Sequence, residues 1–154
     1  MGIFDRLRKK PAAEKAETPK EESKLVQDIP VAAAWAKDNL NHSGYRVGYD
    51  LESMKEIERF FCEQAREGGL LEPGKCGSIL FALGCLVGES IINVCGGHWE
   101  TDDADPKGEM NIAVRLPDHS IVWPVQRCMK RLANGPEESL YDYVRYLAKQ
   151  LKPI

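Results

Sequence analysis

Residues 76–95 read CGSILFALGCLVGESIINVC, and the reading of this stretch decides the fold. From Cys76 to Gly88 every residue is apolar or small. That run is shorter than the roughly 20 residues needed to cross a bilayer. Glu89, Ser90 and Asn93 interrupt the second half. The stretch is therefore expected to be a central helix over about 75–94, buried on most sides rather than membrane-spanning. Gly77, Gly84 and Gly88 would let neighbouring backbones approach it closely.

Working outward, the period changes after Gly96-Gly97. His98 to Thr101 reads as a short strand, and Asp102 to Gly108 is turn chemistry. Met110, Ile112, Val114 and Leu116 alternate with Asn111, Ala113 and Arg115, the pattern of a half-buried strand. Pro117-Asp118-His119 turns the chain, and Ser120 to Trp123 returns as a third strand of an antiparallel meander. Pro124 is expected to start a helix through Val125, Cys128, Met129 and Leu132, ended by Asn134-Gly135. Pro136 is expected to launch the last helix, with Glu137 and Glu138 at its positive end, Lys149 and Lys152 at its negative end, and Leu140, Val144, Leu147 and Leu151 as its buried stripe. Upstream, Pro30 can occupy the first turn of a helix over 31–40. Asp50 suits the N-cap of another, with Leu51, Met54, Ile57, Phe61 and Ala65 facing the core and Gly68-Gly69 as its stop. The expected class is α+β: a three-stranded antiparallel meander packed against four to five helices.

The chain has 154 residues and a net charge of −3, from 21 basic and 24 acidic residues. A dedicated nucleic-acid binder usually carries a basic excess, so no nucleic-acid partner is expected. The balance is uneven along the chain. Residues 1–24 hold seven basic and five acidic side chains, and residues 25–154 hold 14 and 19. The stretch PAAEKAETPKEESK, residues 11–24, has no aromatic or large aliphatic residue. It is expected to be a disordered linker, leaving 25–154 as one domain. Ahead of it, Ile3, Phe4 and Leu7 fall at helical spacing among Arg6, Arg8, Lys9 and Lys10, a segment fitted to weak contact with an anionic surface or a partner groove. Gly2 does not complete a myristoylation signal, because Arg6 stands where Ser or Thr is needed. No secretory h-region is visible.

Five cysteines, Cys62, Cys76, Cys85, Cys95 and Cys128, form no CxxC pair. Reduced, buried thiols in a cytoplasmic protein are the expectation, without a zinc site. Asp103 to Gly108 places Gly at the sixth position of an EF-hand-like loop. However, Lys107 and Val114 occupy positions that need a ligand and a bidentate Glu, so a solvated turn is expected and no metal. No cofactor is expected.

The segments Leu86-Val87-Gly88-Glu89, Gly96-Gly97-His98-Trp99, Leu116-Pro117-Asp118 and Pro124 through Lys130-Arg131-Leu132-Ala133-Asn134-Gly135-Pro136-Glu137-Glu138-Ser139-Leu140 together resemble a small bacterial family of unknown function. Its pattern combines an LGE helix, a GG-x-W strand start, an LPDGS hairpin and a KRxxNGPExSL segment. The likeness spans roughly 50–150, and His119 stands where the pattern has Gly. The resemblance implies no activity.

Two constellations remain. Cys76 at a helix start beside Lys75, with His98 and Asp102 downstream, follows the chain order of transglutaminase-like and papain-like hydrolases or transferases. The helix between Cys76 and His98 works against that geometry. Glu89, His98, Trp99 and Trp123, with Arg115, Lys130 or Arg131 as partners for Glu89, form either a clamp between helix and sheet or a small polar pocket with an aromatic wall. The functional expectation is a non-catalytic cytoplasmic interaction protein whose partner is another protein. The thiol enzyme is its alternative.

Overall fold

The computed structural model describes residues 24–151, so the expected basic tail and linker fall outside the described residues except for Lys24. Among the described residues, five α-helices and a three-stranded antiparallel sheet share one hydrophobic core, an α+β fold. The helices are α1 (Lys24–His42), α2 (Ser53–Gln64), α3 (Gly77–Cys95), α4 (Pro124–Asn134) and α5 (Leu140–Leu151). The strands are β1 (His98–Glu100), β2 (Ala113–Arg115) and β3 (Ile121–Val122), in the order β1-β2-β3.

Helix α3 is the axis of the molecule. It packs chiefly on α1 and α4, and more lightly on α5 and β2. Leu80 through Gly88, Ser90 and Ile91 are all buried. By length and composition alone α3 is the one described helix that could cross a membrane, yet most of it is inside the protein. Two glycines set its packing distances. A Cβ at Gly84 would lie 2.4 Å from Val125 Cγ2, and one at Gly88 would lie 2.1 Å from the Trp99 ring. The helix stops at Gly96, and the chain turns through Gly97 at φ +117, where a Cβ would sit 2.5 Å from the Arg115 carbonyl oxygen. Only glycine admits both that backbone and that approach. The pair therefore allows β1 to lie against β2, in the register His98–Arg115, Trp99–Val114 and Glu100–Ala113.

Several boundaries differ from the sequence expectation. Pro30 lies inside α1, not at its start. An interior proline costs about 3 kcal/mol. The added turns bury Leu25 and Ile29, each contributing roughly 1.5–3 kcal/mol. The Asp103 carboxylate also accepts from the backbone N–H of Lys24 (2.6 Å) and Leu25 (3.1 Å). Asp50 caps a lead-in turn rather than α2 itself, accepting from Ser53 N–H and Oγ–H at 2.9 and 2.6 Å. Helix α2 ends at Gln64, short of Gly68-Gly69. α3 opens at Gly77, with Cys76 in the N-cap position. β2 begins at Ala113, because Met110 and Asn111 belong to the preceding turn and Met110 is exposed. Pro136 starts a 3-10 turn, Pro136–Glu138, that ends before α5. Asp142, not Glu137 or Glu138, is the acidic residue in the first turn of α5. The expectation that all five thiols are buried fails at Cys62, which is exposed, and in part at Cys95.

Candidate functional site

Strand register divides the expected residues between two faces. Trp99, paired with Val114, points toward α3 and lies over Gly88. Its indole N–H donates to Glu89 Oε2 at 2.9 Å. Glu89 is thereby joined to the sheet by an aromatic donor, not by a cation. Arg115 is engaged elsewhere, giving Glu100 two bonds of 2.7 and 3.0 Å. Arg131 pairs with Glu58 at 2.7 Å, and Lys130 is exposed. The three cations named as candidates for Glu89 thus have other places.

The outer face carries His98, whose side chain is 69% exposed and whose Nε2 lies 3.6 Å from Glu100 Oε2. The bonds from Arg115 hold the Glu100 carboxyl below the usual carboxylate range. Trp123 is 44% exposed. It borders a shallow recess of about 270 Å³ with Glu100, Thr101, Asp102, Asp105 and Asn111. Asp102, Asp105 and Asn111 there are already engaged by the loop and by α4. Asp102 accepts from Ala104 N–H, Asp105 from Lys107 N–H and Asn111 Nδ2, and Asn111 Oδ1 from Gln126. Among the described residues no group of three or more His, Cys, Asp and Glu is arranged to hold a metal ion.

The thiol triad is not assembled. Cys76 and His98 stand beyond opposite ends of the 19-residue α3, about 28 Å apart along its axis. Burial pushes the Cys76 thiol up, away from the thiolate. Its neighbour Lys75 reaches Glu72 instead, at 3.5 Å.

A different feature was not singled out from the sequence. Trp35, Leu40, Phe60, Leu70, Ile79 and Leu83 line a groove of about 290 Å³ between α1, α2, α3 and the chain that follows α2. Ala36, Asn39 and Ser43 also line it, and none of these nine described residues is ionisable. Asn39 turns its amide back onto the Trp35 carbonyl, at 2.9 Å. Leu70 stands 56% exposed at the rim while its neighbour Leu71 is fully buried. On α1, Val31 is 39% exposed and precedes Trp35 by four residues, extending the apolar stripe toward Lys24. The sequence signal was present in Leu70-Leu71, an apolar doublet directly after Gly68-Gly69 in a turn.

Cys62, expected to be buried, is exposed. Its Sγ accepts a bond from Arg131 Nη2 at 3.4 Å, a contact between α2 and α4 that no local pattern announces. The chain matches no family model, no curated protein and no solved structure.

Proposed function

We propose that this chain is a non-catalytic, cytoplasmic interaction protein that receives apolar side chains of a protein partner in the groove between Trp35 and Leu70. The carrying observation is the lining of that groove. It is concave and apolar, and its described lining holds no acid or base beside its one hydroxyl, Ser43, so it offers contact surface without a group placed to move a proton. An exposed Leu beside a half-buried Trp is the kind of anchor pair from which interfaces take most of their energy. The cytoplasmic placement is supported by five cysteines, none of them in a disulfide. The bacterial family that the motifs resemble brings no activity with it.

The test uses Leu70→Glu in the full chain. Leu70 is mostly exposed, so the variant should keep the wild-type circular dichroism spectrum and melting temperature. Tagged wild-type protein should retain a stoichiometric partner from cell lysate that Leu70→Glu loses. Retention by both, or by neither, would overturn the reading.

A further inference from the structure

The groove shares its side of α1 with a second recess. Lys24, Asp28, Val31, Trp35 and Asn39 recur at three- and four-residue spacing, so they fall along one face of the helix. Trp35 and Asn39 line the groove, while Lys24 and Asp28 line a hollow of about 380 Å³ beneath the loop that follows β1. We propose that the partner of the groove presents an amphipathic segment laid along α1, with large apolar side chains at one end and a cluster of arginines or lysines at the other. This rests on the groove being the binding surface, and it states the chemistry of what enters it.

Charge chooses the partner. Four carboxylates, Asp28, Asp103, Asp105 and Glu109, line the hollow against two cations, Lys24 and Lys107. Residues 100–111 hold five acidic side chains and one basic one, whereas residues 25–154 together hold 19 and 14. This one loop therefore carries most of the acidic excess of the body. Bonds from the Asn111 side chain and the Lys107 N–H hold the Asp105 carboxyl below the usual carboxylate range, so its charge persists in mildly acidic solution. The groove, by contrast, has no ionisable residue among its nine described lining residues. One helix face thus passes from neutral and apolar to acidic. An acidic patch beside an apolar anchor speeds the approach of a cationic partner and disfavours an acidic one.

Geometry joins the two recesses. Asp103 accepts from the backbone N–H of Lys24 and Leu25, and a Cβ at Gly108 would lie 3.0 Å from Leu25 Cδ1. The acidic loop is therefore seated on the start of α1. Hollow and groove lie roughly 15–20 Å apart along the helix. A partner segment covers that span with about ten to thirteen residues if helical, or five or six if extended. Val31, 39% exposed, lies between the two, and Met110, 38% exposed, lines the hollow. Both offer apolar surface to the aliphatic stems of arginine or lysine.

The experiment selects peptides from a phage-displayed library of random 16-residue sequences on the immobilised full chain. Enriched peptides should carry large apolar residues toward one end and two or more arginines or lysines toward the other. A synthetic copy of the strongest should bind Leu70→Glu at least tenfold more weakly than wild type in fluorescence anisotropy. Asp105→Asn with Glu109→Gln should weaken it about three- to tenfold, with circular dichroism confirming the fold. Exchanging the arginines of the peptide for glutamates tests the same contact without altering the protein. Enriched peptides without a basic end, basic peptides that bind Leu70→Glu as well as wild type, or no enrichment would each overturn the proposal. So would a dimer of the chain in sedimentation that Leu70→Glu dissociates, since a second copy would then fill the groove. The two readings fail separately. If enriched peptides lack a basic end but still need Leu70, the groove remains the binding surface and only the partner's chemistry is wrong. If Leu70→Glu alters neither peptide binding nor capture from lysate, the groove reading itself falls.

Discussion

At the scale of single residues, His119 is the most informative departure from pattern. It is the one described non-glycine residue with positive φ, at +74. It sits third in the loop Pro117-Asp118-His119, where Leu116 accepts from His119 N–H and donates to the Ser120 carbonyl. A three-residue hairpin loop of this type needs a left-handed residue there. An L side chain in that conformation is strained by about 1–2 kcal/mol. Glycine removes the strain but has more unfolded freedom to lose. His119→Gly should therefore stabilise the protein by a net of about 0.5–1 kcal/mol in urea unfolding, and a loss of stability would show that the His119 backbone is not strained. The cysteines differ as sharply. Cys62 is exposed beside the Arg131 guanidinium, while Cys76, Cys85 and Cys128 are buried. Native iodoacetamide labelling followed by mass spectrometry should modify Cys62 first and leave those three intact until unfolding. Early labelling at Cys76 would reopen the thiol-enzyme reading.

At the scale of elements, the fold turns on two junctions. One is the crossing of α3 with α4. A Cβ at Gly84 would meet not only Val125 Cγ2 but also the Val125 Cα and N at 2.7 and 2.9 Å, and a backbone yields less readily than a side-chain tip. Gly84→Ala should cost about 3 kcal/mol or force the helices apart. Gly77→Ala, at the open start of the same helix with nothing within 4 Å, should stabilise by up to about 1 kcal/mol. Equal effects at both positions would mean that the close crossing is absent. The other junction is Glu58 on α2. It accepts from Arg131 Nε of α4 at 2.7 Å and from the Leu140 N–H at the start of α5 at 2.6 Å. The Arg131 side chain is only 3% exposed. Glu58→Ala leaves that charge buried and unpaired, with an expected cost of about 3–5 kcal/mol, whereas Glu58→Leu with Arg131→Met together should cost much less. Chemical denaturation of the single and double variants decides it. These junctions also mark what the sequence could reveal. Helix α3, the meander and Pro124 at the start of α4 were legible because their signals are local: an apolar run, an alternating strand, a ring that presets φ. The Asp103 carboxylate bonding to the start of α1, and Glu58 bonding to α4 and α5, join residues about eighty positions apart. No window of sequence contains both halves of such a pair. The groove was hidden for the same reason, since its walls come from α1, α2, α3 and the chain between α2 and α3.

At the scale of the whole molecule, one core organises every described element, and its chemistry fixes how the protein should respond to alkali. Cys85 on α3 and Cys128 on α4 are fully buried. Burial pushes the Cys128 thiol from its ordinary 9.0 up to about 12. The Cys85 thiol is also pushed well above that value, by burial first and by its neighbour Cys128 second. Both thiols stay protonated in the folded state at pH 10, while in the unfolded chain they ionise above pH 9. The folded state then binds more protons than the unfolded one, so stability must fall as pH rises. The effect is absent below about pH 8 and steepens through pH 9, toward roughly 1.4 kcal/mol per pH unit for each such thiol. Tyr45, Tyr49 and Tyr143 are raised from 10.0, chiefly by burial, and add to the loss only at higher pH. Urea unfolding at pH 8.0, 9.0 and 10.0 should therefore show a decline that precedes tyrosine ionisation. Cys128→Ala should lower stability at pH 8 by its cavity yet flatten the decline by about one proton. A decline of unchanged slope in Cys128→Ala would mean that this thiol is reached by solvent, and that the contact between α3 and α4 is looser than the glycine-set crossing requires.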